Sequence, residues 1–359
     1  MAAGAKTDLL GLTMSGLRAA LAPVSDRPFR AEQIFRAIHR RGVTDFDAMT
    51  ELAAPFRRQL GERFAIGLPE LSERFDASDG TTKYLLRLAD GATIETVDIP
   101  DGERRTLCLS SQAGCALACA FCVTGYWGVG RNLTAAEIVG QVHLLRRLAE
   151  LPEGLNLVFM GMGEPLLNLD ALRDAVELLG ETISPRRITL STAGVVPGLA
   201  ALAAWSRRPN LAVSLHAPDD ERRGQLMPIN RTWPIAELIA ALRRYSLETR
   251  RRITIEYLLL AGFNDDFADA DALAVRLRGL RVKVNLIPFN PDPVLPQWMR
   301  RPSDDAVDRF RSRLERRGLT TTVRRQRGHD VAAACGQLRA FGRTPHGREA
   351  RRRTTVGVS

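Results

Sequence analysis

Apolar residues follow two different rhythms along this chain, and the change comes soon after residue 65. Before it they recur every three or four positions. "DRPFRAEQIFRAIHRRG" puts Phe29, Ile34, Phe35 and Ile38 on one helical face, with Asp26 as cap, Pro28 in the first turn and Gly42 as stop. "TDFDAMTELAAPFRRQLGERF" repeats the pattern with Leu52, Phe56 and Leu60. Residues 7 to about 65 thus read as a small helical unit. "TKYLLRLADGATIETVDIP" then gives two strand-like runs about Asp90-Gly91, a hairpin signature. From about 105 short apolar runs at 155–160, 187–191, 211–215, 253–259 and 282–289 read as buried strands. Helical patterns at 134–150, 169–180, 197–206, 234–248, 266–278 and 303–317 separate them. Repeated βα units predict an α/β fold with a parallel sheet, either a barrel or a doubly wound sheet. Four regions follow: 1–75, a helical accessory domain; 76–100, a β-hairpin extension; 101–341, the core; and 342–359, a basic tail without periodicity, expected to be disordered.

Composition adds two constraints. With 359 residues, 45% hydrophobic and 26% charged, the chain resembles an ordinary globular protein with room for a substantial core. It has no run of the ~20 apolar residues that a membrane span needs. Its first residues lack a secretory apolar core and cleavage site, so a cytoplasmic location is expected. The net charge is +10, and Lys6, Lys83 and Lys283 are the only lysines, so arginine carries nearly all of the positive charge. Genome composition can exchange Lys for Arg but does not create a surplus over acids. Polyanion binding is the inference.

The cysteines change the picture most. Three of the five lie in "CALACAFC", as Cys115, Cys119 and Cys122, after the strand-like "RRTLCLSS" and Gly114 and before the helical "TAAEIVGQVHLLRRL". They belong on a loop at a strand's carboxyl end, where barrels build their chemistry. Soft thiolates suit zinc or iron–sulfur clusters. Three of them leave one cluster iron open to a substrate or cofactor. The alternative is a structural Cys3His zinc site completed by His143 or His216. Polar residues follow other apolar runs: Gly163 and Glu164 in "GMGEP", Ser191 in "TLSTAG", Ser214 and His216 in "AVSLHA", and Asn290 in "IPFNP". Each alone reads as a cap or turn residue. Together they point to one face.

CxxxCxxC with Phe121 before the last cysteine resembles the signature of radical S-adenosylmethionine (SAM) enzymes. "PFRAEQIFRAIHRRGVTDFDAMT", "IETVDIP", "RNLTAAEIVGQV", "GMGEPLLNL", "SLHAPDDERR", "KVNLIPFNP" and "AACGQL" resemble, in order, the family that methylates adenine carbon 2 in 23S ribosomal RNA and transfer RNA. The likeness runs from about residue 7 to 341. It implies a partial (β/α)6 barrel, open on one side, with the helical unit, which bears His39, Arg40, Arg41, Arg57 and Arg58, helping to hold RNA through its Arg face. It also implies a 4Fe–4S cluster on Cys115, Cys119 and Cys122. SAM would complete the fourth iron, touch Gly163, Glu164, Ser191, Ser214, Leu215, His216 and Asn290, and be used twice per turnover. Carbon 2 of adenine bears an inert hydrogen and is no nucleophile, so the family first methylates a cysteine, here Cys335. A radical formed on that methyl group adds to adenine, and Cys108 helps resolve the adduct, leaving a transient Cys108–Cys335 disulfide. Glu95 is the implied proton acceptor. A flavodoxin-like one-electron reductant, RNA partners, no membrane and a monomer complete the expectation. Tyr126 and Trp127 stand where the family more usually has small or polar residues, and are expected to alter RNA contacts. Two rivals remain: the sister family that methylates carbon 8 and confers antibiotic resistance, and a non-catalytic, zinc-stabilised RNA-binding protein. "RGHDVAAACGQL" and the intact helical unit favour carbon 2.

Overall fold

The computed structural model describes residues 6–152, 154–245 and 251–339, so the expected disordered tail, 342–359, lies outside the described residues. The helical unit comprises β1 (Thr7–Asp8), α1 (Met14–Leu21), α2 (Pro28–His39), α3 (Ala54–Arg63) and β2 (Phe64–Ala65), with β1 and β2 paired in parallel. Ala31, Ile34, Phe35 and Ile38 give α2 its buried stripe, whereas Phe29 is 47% exposed beside the Arg30 guanidinium. The cap of α2 is Arg27 rather than Asp26, with Pro28 at the first helical position, where its missing N–H is no loss. Gly42, at φ +70°, provides the stop.

Next come β3 (Glu70–Asp76), β4 (Thr82–Arg87) and β5 (Thr93–Asp101), an antiparallel meander that pairs onto β6 (Arg104–Cys108). The expected hairpin is thus three-stranded. Its first strand begins at Glu70, within the range read as helical. β3 is an edge strand with mostly exposed side chains and a register shift at Leu71/Glu73, so it carries no alternating apolar signal.

From β6 onward every pairing is parallel. The order is β6, α4 (Ala135–Leu148), β7 (Asn156–Phe159), α5 (Leu169–Leu179), β8 (Ile188–Thr192), α6 (Val196–Ala203), β9 (Asn210–Ser214), α7 (Asp220–Leu226), α8 (Ile235–Arg244), β10 (Ile253–Leu259), α9 (Phe267–Arg276), β11 (Val282–Pro288), α10 (Asp304–Arg316) and β12 (Thr321–Val323). The ten-stranded sheet runs β12-β11-β10-β9-β8-β7-β6-β5-β4-β3 without closing on itself. This is the expected partial barrel, with six βα strands and a short seventh, β12. Its strands are near-continuous apolar runs because helices cover their outer faces; Ile255, Tyr257 and Leu259 are fully buried. Helices dock by spaced apolar residues, as with Val307, Phe310 and Leu314 on α10, whose Ser303 cap accepts from the Ala306 N–H.

Candidate active site

All the parallel strands present their carboxyl ends on one side, and the cysteine loop lies there. Gly114 begins it at φ +124°, which permits the Cys115 N–H to donate to Gly128 O (3.0 Å). Ala120 N–H donates to Leu226 O of α7 (2.8 Å), and Val123 N–H to Gly336 O (2.6 Å). Thr124 Oγ1 donates to Leu338 O (2.8 Å). The loop is thus stitched both to α7 and to the segment bearing Cys335. Tyr126 and Trp127 are buried beneath it, Tyr126 donating to Ala120 O (3.1 Å), so they brace the loop rather than face a substrate.

One cavity of about 150 Å³ gathers Cys115, Cys119, Cys122, Gly163, Glu164, Ser191, Ser214, His216, Asn290 and Cys335. Leu215 is not on its wall; its side chain is buried, and its N–H donates to Glu256 O (3.0 Å). Cys108 and Glu95 also stand off the wall, buried at the end of β6 and within β5. All five cysteines are free thiols, so the Cys108–Cys335 bond is not formed.

Glu164 is an anchored acid. Its Oε1 accepts from Leu166 N–H (3.0 Å) and its Oε2 from Ala193 N–H (2.7 Å), while burial raises its pKa against those bonds. The turn caps the short helix after it and also holds a carboxylate on the cavity wall. His216 sits at φ +62° with its Nδ1 accepting from Leu258 N–H (3.0 Å). Burial, then the Arg223 charge, drive its pKa down to about 3. The ring is therefore neutral, and since Nδ1 is an acceptor, Nε2 carries the hydrogen. Its edge meets Phe121 at 4.7 Å between centroids. Asn290 Oδ1 is buried with no hydrogen-bond partner among the described residues, an orphaned acceptor that implies a bound donor.

The donor set fits an iron–sulfur cluster. Burial raises the pKa of all three thiols, Cys115 to about 12; Cys122 raises Cys115 and Cys119 further, and Cys335 raises Cys122. A shared cationic group is what converts such thiols to thiolates. His143, a candidate zinc ligand, faces His39 in the helical unit at 5.8 Å between ring centroids, and does not line the cavity.

Residues that sequence reasoning did not single out complete the surroundings. Glu256 lines the cavity and accepts from Asn285 Nδ2 (2.7 Å). Arg324 also lines it, 3.4 Å from Met160 Sδ, with Cys335, Glu256 and Cys108 as its electrostatic neighbours. A charge inside "ITIEYLL" and another directly after β12 were the signals available. Lys83 and Glu95 form a buried pair (3.1 Å). Lys83 Nζ donates to Ala332 O (3.4 Å), and Glu95 Oε2 accepts from Arg339 N–H (2.7 Å), so the pair grips the Cys335 segment on both sides. In the helical unit His39 is buried, Arg40 pairs with Glu181 (3.1 Å), Arg41 with Glu51 and Arg57 with Asp47 (3.9 Å), leaving less of the expected basic face free.

Comparison with known proteins agrees with this geometry. A profile described as the radical SAM superfamily matches residues 109–274, and one described as the ribosomal RNA large subunit methyltransferase N-terminal domain matches residues 7–66. The dual-specificity RNA methyltransferase RlmN of Marinobacter nauticus is 49% identical, covering 94% of this chain and 93% of its own. That of Halorhodospira halophila is also 49% identical, over 92% and 93%. The crystal structure of a radical SAM methyltransferase from Sphaerobacter thermophilus superposes with a TM-score of 0.87 at 46% identity, covering 93% of this chain and 99% of that one. With its barrel, its cysteine loop and its helical unit all matched in this way, the chain belongs to the RlmN family of dual-specificity RNA methyltransferases, within the radical SAM superfamily.

Proposed function

We propose that this protein methylates carbon 2 of an adenosine in 23S rRNA and in tRNA, using two SAM molecules per turnover and Cys335 as methyl carrier. The observation that carries the reading is the single cavity shared by the three loop cysteines, the strand-end polar residues and Cys335. When bound, the 4Fe–4S cluster supplies the electron that cleaves SAM to methionine and a 5′-deoxyadenosyl radical. Cys115, Cys119 and Cys122 hold it. Glu164 and the unpartnered Asn290 Oδ1 are acceptors for the ammonium end of SAM, and the Nε2–H of His216 is a donor. Gly163, Ser191, Ser214 and the Leu215 backbone complete the contacts.

Cys335, as thiolate, takes the first methyl group and releases S-adenosylhomocysteine. Its S-methyl gives one hydrogen atom to the 5′-deoxyadenosyl radical and bonds carbon 2. The adduct then gives up the carbon-2 proton, and one electron to a flavodoxin-like carrier. Cys108 attacks the Cys335 sulfur, the carbon–sulfur bond breaks, and the released methylene is protonated to methyl. The resulting disulfide is reset by two electrons and two protons from a dithiol. Burial holds the Cys108 pKa up at about 12, and the Arg324 charge works against that, favouring the thiolate the attack needs. Glu95 is the proton acceptor, its charge balanced by Lys83. Among the described residues no helix is long and apolar enough to cross a membrane; the protein acts as a cytoplasmic monomer.

Anaerobic incubation with SAM, reductant and RNA, followed by nucleoside analysis, tests the reading. It expects 2-methyladenosine together with 5′-deoxyadenosine; 8-methyladenosine or unmodified RNA overturns it. Cys335→Ala is expected to bind cluster and SAM yet transfer no methyl group. Cys108→Ala is expected to accumulate a covalent RNA–protein adduct, visible on a denaturing gel.

A further inference from the structure

Trp298 is 42% exposed, and its neighbours hold it that way. It lies in the loop between β11 and α10, where the Met299 N–H donates to Pro296 O (3.0 Å) and closes a tight turn. Leu295 and Met299 are buried on either side of it, so the turn is anchored while much of the indole stays in solvent. Arg300 O accepts from the Ala261 N–H (2.9 Å), which joins this loop to the one between β10 and α9. Phe263 of that second loop meets Trp298 at 5.3 Å between ring centroids, tilted by 47°. Asn264, fully buried, fixes the second loop. Its Oδ1 accepts from the Leu260 N–H (2.8 Å), and its Nδ2 donates to Leu258 O and His216 O (2.7 Å each).

Both loops rise from the catalytic cavity. Leu258 and His216 line it at the foot of one, and Phe289 and Asn290 at the foot of the other, whereas Phe263, Trp298 and Arg300 do not line it. The aromatic pair therefore stands on the rim, at the carboxyl ends of β10 and β11. Arg300 adds a charge there: it is exposed and its guanidinium has no partner among the described residues. The acids of the two loops and of the helix starts beyond them are engaged. Asp265 accepts from the Gly262 N–H (2.8 Å), Asp266 caps α9, Asp292 pairs with Arg339, and Asp304 with Arg301 (3.7 Å).

An open aromatic face beside a free guanidinium is the chemistry that receives a base and its phosphate in unpaired nucleic acid. A single indole offers far less surface than the roughly 800 Å² per partner of a stable protein interface. Turning the target adenosine out of its stack leaves the next base in the strand without a stacking partner. We propose that Trp298 supplies one: the base beside the target stacks on the indole, and Arg300 takes a backbone phosphate of the same unpaired segment. This inference rests on the RNA-substrate reading above. It adds a point of attachment outside the cavity that holds the strand while the target base turns inward. Since hydrogen bonds already pin both loops, ordering them on binding costs little entropy. Stacking accepts any base, so the platform contributes affinity and no sequence preference.

Trp298→Ala, Trp298→Phe and Arg300→Ala in the full, cluster-loaded chain test it, with the urea midpoint as the control for folding. Affinity for a short RNA stem-loop bearing an unpaired adenosine is measured across a salt series. Trp298→Ala is expected to bind about tenfold more weakly. Its salt slope should be unchanged, because stacking releases no counterions. Arg300→Ala should instead reduce the slope by about one, as loss of one phosphate contact requires. Trp298→Phe keeps a ring and should keep most of the affinity, while losing most of the fall in tryptophan fluorescence that RNA causes in the wild type. Wild-type affinity in Trp298→Ala, or quenching that survives in Trp298→Phe, overturns the platform. A wild type that binds no RNA would strike the substrate reading and the platform together; binding that ignores Trp298 strikes the platform alone.

Discussion

At Gly163 the backbone turns at φ +103°, and a Cβ placed there would lie 2.6 Å from the Gln112 Cβ. Both facts demand glycine: the conformation disfavours a side chain, and the space is already filled. Gly163→Ala should therefore destabilise the protein by about 1–3 kcal/mol and displace Glu164 from its two N–H donors. Urea unfolding should show the first effect, and weaker SAM binding by the cluster-loaded chain the second; wild-type values for both would contradict the account. Individual residues were legible here to the extent that their chemistry was local. A Gly-flanked acid after an apolar run announces itself. Leu215 was placed among cofactor contacts by likeness, yet strand alternation turns its side chain into the core. Arg324 and Lys83 act through partners far away in sequence, and such contacts leave no periodic trace.

Among the elements, the segment after β12 has the least regular structure and the most specific attachments. Gly328 N–H donates to Asp79 Oδ2 (3.0 Å), Ser78 N–H donates to Asp330 Oδ2 (2.9 Å), and Gln337 Nε2 donates to Pro291 O (2.9 Å). The buried Lys83–Glu95 pair adds its grip at Ala332 and Arg339. Removing one partner of a buried pair strands the other, at about 3–5 kcal/mol. Lys83→Met should therefore lower the urea midpoint and speed proteolytic cleavage between residues 324 and 339. Lys83→Met with Glu95→Leu should regain most of the stability while the segment stays cleavable. If the double variant protects the segment as well as wild type does, the pair is not its anchor. The core strands and helices were readable because double-sided burial makes apolar runs and single-sided burial makes stripes. β3 and β12 escaped notice, since an edge strand and a three-residue strand are defined by backbone pairing rather than side-chain pattern.

For the molecule as a whole, the helical unit packs against α4 and its neighbours. Gly11 and Gly140 mark places where a Cβ would come within 2.6 Å of Ala136 N and 2.7 Å of Pro69 Cδ, respectively. His39 meets His143 across that junction, and neither nitrogen of His39 has a hydrogen-bond partner among the described residues. Burial, then the His143 charge, push the His39 pKa down to about 3; burial, then Arg146, push His143 to about 4. Unfolded, both titrate near 6.5. Below that value the unfolded chain binds protons that the fold excludes, so stability falls as pH drops from 6.5 toward 4. Each histidine accounts for up to about 2 kcal/mol between pH 6.5 and 5. His39→Leu should remove its share: the difference in urea midpoint between pH 7 and pH 5 should shrink relative to wild type. An undiminished difference would show that acid acts elsewhere. On sequence alone His39 stands beside the arginines of the helical unit with no partner assigned, because helical spacing places a residue on a face but does not say what that face meets.

The residues that seal the barrel's flank and carry Cys335 follow every strand in chain order. Synthesis therefore reaches Cys115, Cys119, Cys122 and every strand before it reaches Cys335, and the cavity that those cysteines line lacks its last wall until that segment has been made.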